Sequence, residues 1–294
     1  MALKTLFSAM KREGYIIKDL DTYLLSLNDE PNDRAIDVNA PSQVSNCLRA
    51  NYYARTQEEK DVNAVGARER RIFDNGTGVH ERLQAYLEKQ GMLLMEEVPL
   101  RNDEYNIQGH TDGFLKLSNT EIGILEIKSI NDRNFSALKT AKEEHQMQGL
   151  VYIYCTESRR QLLQEMYANI EEFEADYECR KKEYESWYTH LIDGRKYTRE
   201  EKIANKVKQH DITDRILFNT HTPINKVVFL YENKNDQNLK EFVIAYDEDK
   251  MNTILQRYED LNQYVANKKV PPREGSCKSC QCCRWCNYKI ACWN

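Results

Sequence analysis

The chain has 294 residues, 40% of them hydrophobic and 30% charged, and its formal net charge at pH 7 is −5. This composition supports a buried core and excludes a largely disordered chain. The acidic net charge neither indicates nor excludes nucleic-acid binding, which needs only a local basic groove. No apolar run approaches the ~20 residues of a membrane helix, and no secretory stretch opens the sequence. We therefore expect no membrane partner and a reducing cytoplasm, bacterial or, for a viral protein, that of the infected cell.

The helices and turns predicted before the first strand follow from apolar residues spaced three and four apart and from turn-forming residues. In chain order they are an amphipathic helical stretch at Leu3–Leu27, a turn at 28–33, a helix capped by Ser45, a helix around 68–71, a glycine-bearing turn at Asp74–Gly78 and a helix from Val79 to about Glu88. We expect Cys47 to lie on the helix that Ser45 caps.

Five strand-like segments follow, each rich in apolar or β-branched residues and bounded by turn signals. They are Leu93–Leu100, Ile107–Leu117, Ile122–Ile130, Lys226–Tyr231 and Glu241–Tyr246. A helix to about Cys155 and a charged stretch at about 156–219, interpreted as an inserted helical hairpin, separate the third strand from the fourth. An amphipathic helix at Met251–Asn267 follows the last strand. This order predicts an α/β fold with a mixed central sheet flanked by helices.

A pair of carboxylates and a lysine occupy two adjacent strand-like segments: Asp112 on one and Glu126-Ile127-Lys128 on the next. Residues two apart in a strand point to the same side, so Glu126 and Lys128 project together while Ile127 enters the core. Charges in an apolar strand are costly unless they are used, which distinguishes this pattern from an ordinary surface pair. Two convergent carboxylates suit a hard ion such as Mg²⁺, and the lysine suits an activated water or a developing phosphate charge.

Three further elements accompany this pattern. His80 follows the glycine-bearing turn, and its imidazole suits a third ligand for Mn²⁺ or Mg²⁺. His110 lies two residues before Asp112 and competes for a place beside the site. Gln148 and Tyr152 are four residues apart, hence on one helix face, where they could bond a phosphate or orient Lys128. Each of these residues alone is compatible with a merely structural role.

Six of the nine cysteines lie in the last eighteen residues. They are Cys277, Cys280, Cys282, Cys283, Cys286 and Cys292. A buried free cysteine packs as one small apolar side chain and needs no neighbours of its kind, so this density indicates ligation of a soft metal or cluster rather than packing. Zinc remains an alternative to an iron–sulfur cluster.

The order of these motifs resembles the RecB-like branch of the PD-(D/E)xK nuclease superfamily. The motifs are Gly-x-x-x-His, Gly-x-x-Asp, Glu-x-Lys and Gln-x-x-x-Tyr, with one early cysteine and three late ones. The similarity is greatest to its iron–sulfur subgroup, which includes the AddB nuclease domain and related CRISPR-associated and phage exonucleases. The resemblance runs from about Pro41 to the last residue, without the insertion, and it implies a restriction-endonuclease-like core with an iron–sulfur subdomain built from both chain ends.

The resemblance also assigns roles to residues. It implies metal ligation by His80, Asp112, Glu126 and the backbone carbonyl of Ile127, catalysis by Lys128, Glu126 and Asp112, and a final motif made of Gln148 and Tyr152. It implies a 4Fe–4S cluster held by Cys47, Cys283, Cys286 and Cys292. A second register, in which Cys277, Cys280 and Cys286 form the late triad, satisfies the same spacing.

The expected organisation is an N-terminal helical segment at 1–40, iron–sulfur parts at 41–75 and 270–294, and a nuclease core at 76–269. The resemblance implies a Mg²⁺- or Mn²⁺-dependent DNA exonuclease that acts on single strands or ends in recombination, repair or replication, with a helicase, recombinase or single-strand-binding protein as a possible partner. The alternatives are an inactive nuclease-fold module that binds nucleic acid or a partner, and a zinc-stapled regulatory protein. Replacing Asp112 or Glu126 by alanine should stop cleavage and leave folding intact.

The insertion leaves one question open at this point. Its aromatic residues, interleaved with lysines and arginines, suit base stacking or packing on the core equally well. They are Tyr167, Tyr177, Tyr184, Trp187, Tyr188 and Tyr197.

Overall fold

The computed structural model describes residues 16–29, 33–58, 60–61, 65–284 and 286–294. The helices are α1 (Ile17–Ser26), α2 (Leu48–Arg55), α3 (Ala67–Lys89), α4 (Asp132–Ala137), α5 (Glu143–Met166), α6 (Ile170–Ala175), α7 (Tyr177–Trp187), α8 (Arg199–Phe218), α9 (Glu248–Ala266), α10 (Gln281–Arg284) and α11 (Lys289–Trp293). Residues 3–15 of the first predicted helical stretch and 30–32 of the predicted turn lie outside the described residues. Among the described helices, none is long and apolar enough to cross a membrane.

Five strands form one mixed sheet in the order β1-β2-β3-β4-β5. They are β1 (Leu93–Asn102), β2 (Ile107–Lys116), β3 (Ile122–Ile130), β4 (Lys226–Asn233) and β5 (Leu239–Ala245). β3 and β4 are parallel, and the other neighbours are antiparallel. The parallel pair needs a long crossover, which α4 to α8 supply. The predicted mixed sheet flanked by helices is confirmed.

The two faces of the sheet are packed against different helices. Ile124 of β3 belongs to the larger core, which includes residues of α5 and α9. The neighbouring Leu125 and Ile127 belong to a smaller core with Val79 and Leu83 of α3. Because side chains alternate along a strand, Glu126 projects to the α5 side of the sheet, opposite to Ile127.

The predicted turn at Asp74–Gly78 is wrong, because α3 runs without interruption from Ala67 to Lys89. Each mid-helix glycine costs about 1 kcal/mol relative to alanine. Contacts of the first half of α3 with α1 offset this cost, and they include an ion pair between Arg71 and Asp21. His80 therefore lies inside a long helix instead of opening a short one.

The residue that caps α2 is Cys47 and not Ser45. α2 begins at Leu48, and the Cys47 sulfur accepts a hydrogen bond from the backbone N–H of Ala50 at 3.4 Å. The cysteine thus lies just before the helix, where its sulfur faces the free N–H groups of the first turn.

The insertion is helical, but it is not a two-helix hairpin. α5 continues past Cys155 to Met166, and α6, α7 and α8 follow. Two buried residues of the insertion, Asp214 and Tyr184, are hydrogen-bonded to each other, and Arg159 of α5 contacts Asp214 at 2.6 Å. This network fixes the insertion on α5.

The aromatic residues of the insertion mostly pack. Tyr167, Tyr184 and Tyr188 are buried, and Tyr177 and Trp187 are half-buried. Tyr197 is 43% exposed. Packing on the core therefore accounts for most of them better than base stacking does.

The segment that contains α2 and Asp61 packs against the C-terminal tail. Arg49 of α2 donates to the carbonyl of Pro271 at 2.7 Å. The carboxylate of Asp61 accepts from the backbone N–H groups of Lys289 and Ile290 at 2.9 and 3.1 Å, which caps α11. These bonds join the segment after residue 41 to the cysteine-rich tail.

Candidate active site

The candidate site lies where β2 separates from β3. Backbone pairing of these strands extends only from Lys116–Ile122 to Gly113–Leu125. Beyond that point, side chains of β2 make the hydrogen bonds to the β3 backbone that strand pairing would otherwise make. The Thr111 hydroxyl donates to the Leu125 carbonyl at 2.7 Å. The Ile127 N–H donates to Oδ2 of Asp112 at 2.5 Å. The opening therefore holds the Asp112 carboxylate against the Glu126–Lys128 segment.

Lys128 is held between a carboxylate and an amide. Its ammonium lies 2.6 Å from Oε1 of Glu126 and donates to Oε1 of Gln148 at 3.2 Å. The Gln148 amide in turn donates to the Tyr152 hydroxyl at 2.5 Å. Since Gln148 and Tyr152 are one turn apart on α5, the helix presents both to the end of β3. All four side chains thus form one chain of contacts.

Glu126 is the most deeply buried charge of the site. It is 3% exposed, and its Oε2 is buried with no hydrogen-bond partner among the described residues. Burial and the neighbouring Asp112 charge raise the pKa of Glu126, against the opposing effect of Lys128. A carboxylate in this state favours a proton or another cation.

His80 reaches the same carboxylate from α3. Its Nδ1 lies 3.2 Å from Oδ1 of Asp112. Burial lowers the pKa of His80, but the hydrogen bond and the charge of Asp112 outweigh burial, so the net shift is upward. The structure therefore brings His80, Asp112, Glu126 and Lys128 together. His110 lies apart from them and contacts Lys206 instead.

Two residues beside Asp112 were missed by the sequence analysis. Gln84 of α3 donates to the Asp112 carbonyl at 2.8 Å. Glu97 on β1 lies opposite Asp112, between the pairs Glu96–Gly113 and Val98–Thr111, with a φ of 50°. Although Glu97 is exposed by surface area, desolvation and the Asp112 charge raise its pKa. Neither residue belongs to a motif, so no local signal marks them.

His145, at the start of α5, was also missed. Its Nδ1 lies 2.7 Å from the Tyr231 hydroxyl. Burial, with the charges of Lys128 and Lys142, lowers the pKa of His145 to about 3. The imidazole is therefore neutral at physiological pH and adds no charge beside Lys128.

The acidic groups of the site are paired with cationic side chains rather than aimed at one point. Among the described residues, no group of three His, Cys, Asp or Glu side chains forms a preformed metal-binding site. The reason is local, because Lys128 contacts Glu126 and His80 contacts Asp112. The unpartnered Oε2 of Glu126 is nevertheless an atom that fits a cation.

The four cysteines of the later register line one small cavity between α2 and the tail. They are Cys47, Cys283, Cys286 and Cys292. Three of these sulfurs accept hydrogen bonds, from Ala50 N at 3.4 Å, from Tyr288 N at 3.4 Å and from the Arg49 guanidinium at 3.7 Å. Several N–H donors around a set of sulfurs are a feature of thiolate-bound clusters.

The alternative register places its extra cysteines elsewhere. Cys277 is exposed and contacts Ser279, and Cys280 lines a larger groove that Cys47 and Cys286 also line, outside the small cavity. The side chain of Cys282 lies outside the described part of the chain. Of the two triads, the later one has all three members in the small cavity with Cys47.

No family model and no curated protein matches this chain. The crystal structure of SSO0001 is similar over 95% of this chain and 96% of that chain, with a TM-score of 0.47 and 14% identity. The crystal structure of LHK-Exo, an alkaline exonuclease from Laribacter hongkongensis, is similar over 84% of this chain and 93% of that chain, with a TM-score of 0.44 and 11% identity. Similarities with TM-scores of 0.47 and 0.44 and identities of 14% and 11% do not establish a family for this chain.

Proposed function

We propose that this chain is a metal-dependent nuclease that hydrolyses phosphodiester bonds of DNA. The observation that carries the proposal is Glu126, a buried carboxylate with one unpartnered oxygen, next to Asp112 and Lys128. Burying such a group costs free energy that folding does not recover, and strongly perturbed carboxylates cluster at functional sites.

The groups that would hold a divalent ion are the carboxylates of Asp112 and Glu126, the carbonyl of Ile127 and the imidazole of His80. Oxygen ligands of this kind suit Mg²⁺ or Mn²⁺, and the imidazole favours Mn²⁺. Such an ion, when bound, would lower the pKa of a bound water and neutralise charge on the phosphate. The contacts of Asp112 with His80 and of Glu126 with Lys128 would loosen as the ion takes over those oxygens.

Lys128 is the residue that acts on the reacting groups. Its ammonium is held by Gln148, which Tyr152 braces in turn. Released from Glu126, it would remain oriented by Gln148 and could donate to a phosphate oxygen or to the attacking water. A positioned donor of this kind needs little reorganisation during the reaction.

The finer assignment follows the family resemblance of the motifs. It is an exonuclease acting on single-stranded DNA or DNA ends in recombination, repair or replication, alongside a helicase, a recombinase or a single-strand-binding protein. End-labelled strands distinguish 5′ from 3′ polarity, and a circular single strand distinguishes exonuclease from endonuclease.

We further propose that Cys47, Cys283, Cys286 and Cys292 hold a 4Fe–4S cluster. Their shared cavity and the N–H donors to three of the sulfurs support this ligand set. Because ligation free energy is also folding free energy, the cluster would stabilise the junction of the chain ends. Iron and sulfide near four each per chain in protein prepared without oxygen would support it. One equivalent of zinc without iron would overturn it.

The nuclease proposal is tested by digestion of end-labelled single-stranded DNA with Mg²⁺ or Mn²⁺. Glu126→Gln and Lys128→Met should abolish cleavage and retain DNA binding. Glu241→Gln, on the exposed edge strand β5, is the matched control and should cleave as the wild type does. Wild-type protein that binds DNA without cleaving it under any divalent ion would instead identify an inactive nuclease-fold module.

A further inference from the structure

A groove of about 1410 Å³ lies between the inserted helices and the two packed chain ends. Its lining includes Cys47 and Cys286 of the cysteine cavity, Lys202 and Lys206 of α8, and His110 of β2. The groove therefore adjoins both the cysteines and the strand that carries Asp112. Its α8 wall comes from the insertion, which the motif-based assignment leaves without a role.

Lys206 is the unusual charge on this wall. Its ammonium lies 2.9 Å from Nε2 of His110 and donates to Oε1 of Gln209 at 3.2 Å, and neither partner is anionic. Within the part of the chain that the structure describes, no carboxylate forms an ion pair with it. By contrast, Lys202, one turn earlier, is ion-paired with Asp33.

The surroundings of Lys206 disfavour its charge. It is half-buried, and burial lowers its pKa, while Glu97 opposes that effect only from a distance. A desolvated cation without a counter-charge raises the free energy of the protein, and an incoming anion would relieve that cost. Lysine is a common point-charge ligand for phosphate.

The Lys206 ammonium contacts the same strand, β2, that carries Asp112 of the candidate site. His110 precedes Asp112 by two residues on β2, so both side chains lie on one side of the strand, roughly 7 Å apart along it. Lys206 contacts His110 and not Asp112, so its ammonium faces the position next to the one that Asp112 faces. A phosphate that neighbours the cleaved one in the same nucleic-acid strand would lie in that direction.

We propose that Lys206 binds a backbone phosphate of the nucleic acid next to the one that is cleaved, and that His110 positions the ammonium by accepting its hydrogen bond. This inference rests on the proposed nuclease function and gives the insertion a part in substrate binding. Lys206 contacts the substrate, whereas His110 acts through Lys206.

The test is binding of a fluorescently labelled oligodeoxynucleotide to the full chain in the presence of Ca²⁺, followed by anisotropy from 50 to 200 mM salt. Lys206→Met should weaken binding about tenfold, as expected for one charge-assisted hydrogen bond. It should also reduce the slope of log K against log salt by about 0.7, as expected for one lost phosphate contact on a single strand. Lys206→Arg should restore the slope.

Lys208→Met is the matched control, since Lys208 lies on the same helix, is exposed and is outside the groove lining. Equal slopes for Lys206→Met and Lys208→Met would overturn the phosphate site, whether or not the protein cleaves DNA. The two proposals can fail separately. If the salt slope changes in Lys206→Met but not in Lys208→Met, and the wild-type protein does not cleave DNA, the phosphate site is supported and the nuclease proposal is overturned. Loss of the wild-type circular dichroism spectrum in Lys206→Met, together with failure of Lys206→Arg to restore the slope, would assign the effect to misfolding and overturn the phosphate contact.

Discussion

Gly149 of α5 allows this helix to lie close against β4, and replacing it by alanine tests that packing. A Cβ at position 149 would lie 2.7 Å from Cγ1 of Val227 and 2.9 Å from Cζ of Phe229. Both neighbours are fully buried, at 0% exposure, so neither has room to move aside. Overpacking of this kind costs about 1–3 kcal/mol, and alanine returns about 1 kcal/mol of helix propensity. We therefore expect Gly149→Ala to lower the free energy of unfolding by about 1 kcal/mol, the middle of the overpacking range less the propensity gain.

The same substitution at Gly78 should have the opposite sign. Gly78 lies within α3, and a Cβ there would meet no atom within 4 Å. Only the propensity term applies, so Gly78→Ala should raise the free energy of unfolding by about 1 kcal/mol. The two variants should differ by about 2 kcal/mol.

The difference in free energy of unfolding is measured by urea denaturation, monitored by circular dichroism. Both variants are purified by the same procedure. Because α5 also carries Gln148, the displaced helix in Gly149→Ala should lower cleavage as well, while Gly78→Ala should cleave as the wild type does. Equal free energies of unfolding for Gly149→Ala and Gly78→Ala would refute the close packing of α5 on β4, because both substitutions gain the same helix propensity and only Gly149→Ala meets buried neighbours.

Two further predictions concern the carboxylate and the cysteines. Burial and the Asp112 charge raise the pKa of Glu126 from 4.5 to about 8, so the folded protein holds this proton more tightly than the unfolded chain does. This proton stabilises the folded protein fully when the pH is below the pKa of Glu126 in the unfolded chain. The stabilisation is lost as the pH rises through the pKa of Glu126 in the folded protein. In chelator, the melting temperature should thus fall between about pH 5 and 8, and Glu126→Gln should flatten that fall. Cys292→Ser should lose the brown colour and iron, whereas Cys277→Ser should keep both; the reverse result would assign the cluster to the earlier triad.

The strands were predictable because their signal is local. β3 was predicted at Ile122–Ile130, the bounds it has in the structure, since a mainly apolar segment between turn residues identifies a buried strand. The motif residues also converge as expected, since Lys128 meets Gln148 across twenty positions of sequence. Their assigned roles in metal binding and catalysis remain predictions.

Other features had no local signal. Two glycines before His80 predict a turn, but the helix continues through them, with its first half in contact with α1 and with Val79 and Leu83 packed on the sheet. Lys206 lies in a charged stretch indistinguishable from a solvated helix, and its approach to His110 depends on how the insertion folds back over β2. Side chains that act across such distances become visible only once the packing is known.

The opening between β2 and β3 changes one expectation for the site itself. The Ile127 N–H, on a residue at 0% exposure, is satisfied by the Asp112 carboxylate instead of a strand carbonyl. Asp112→Ala therefore removes more than a ligand, because it leaves a buried donor unpaired at a cost of about 1–3 kcal/mol. Asp112→Asn keeps an acceptor oxygen there. Both variants should lose cleavage, but only Asp112→Ala should lose about 2 kcal/mol in urea denaturation, by the same estimate. Equal stability of the two would mean that the carboxylate does not replace the strand ladder, and that the sequence-based expectation of an unchanged fold was right.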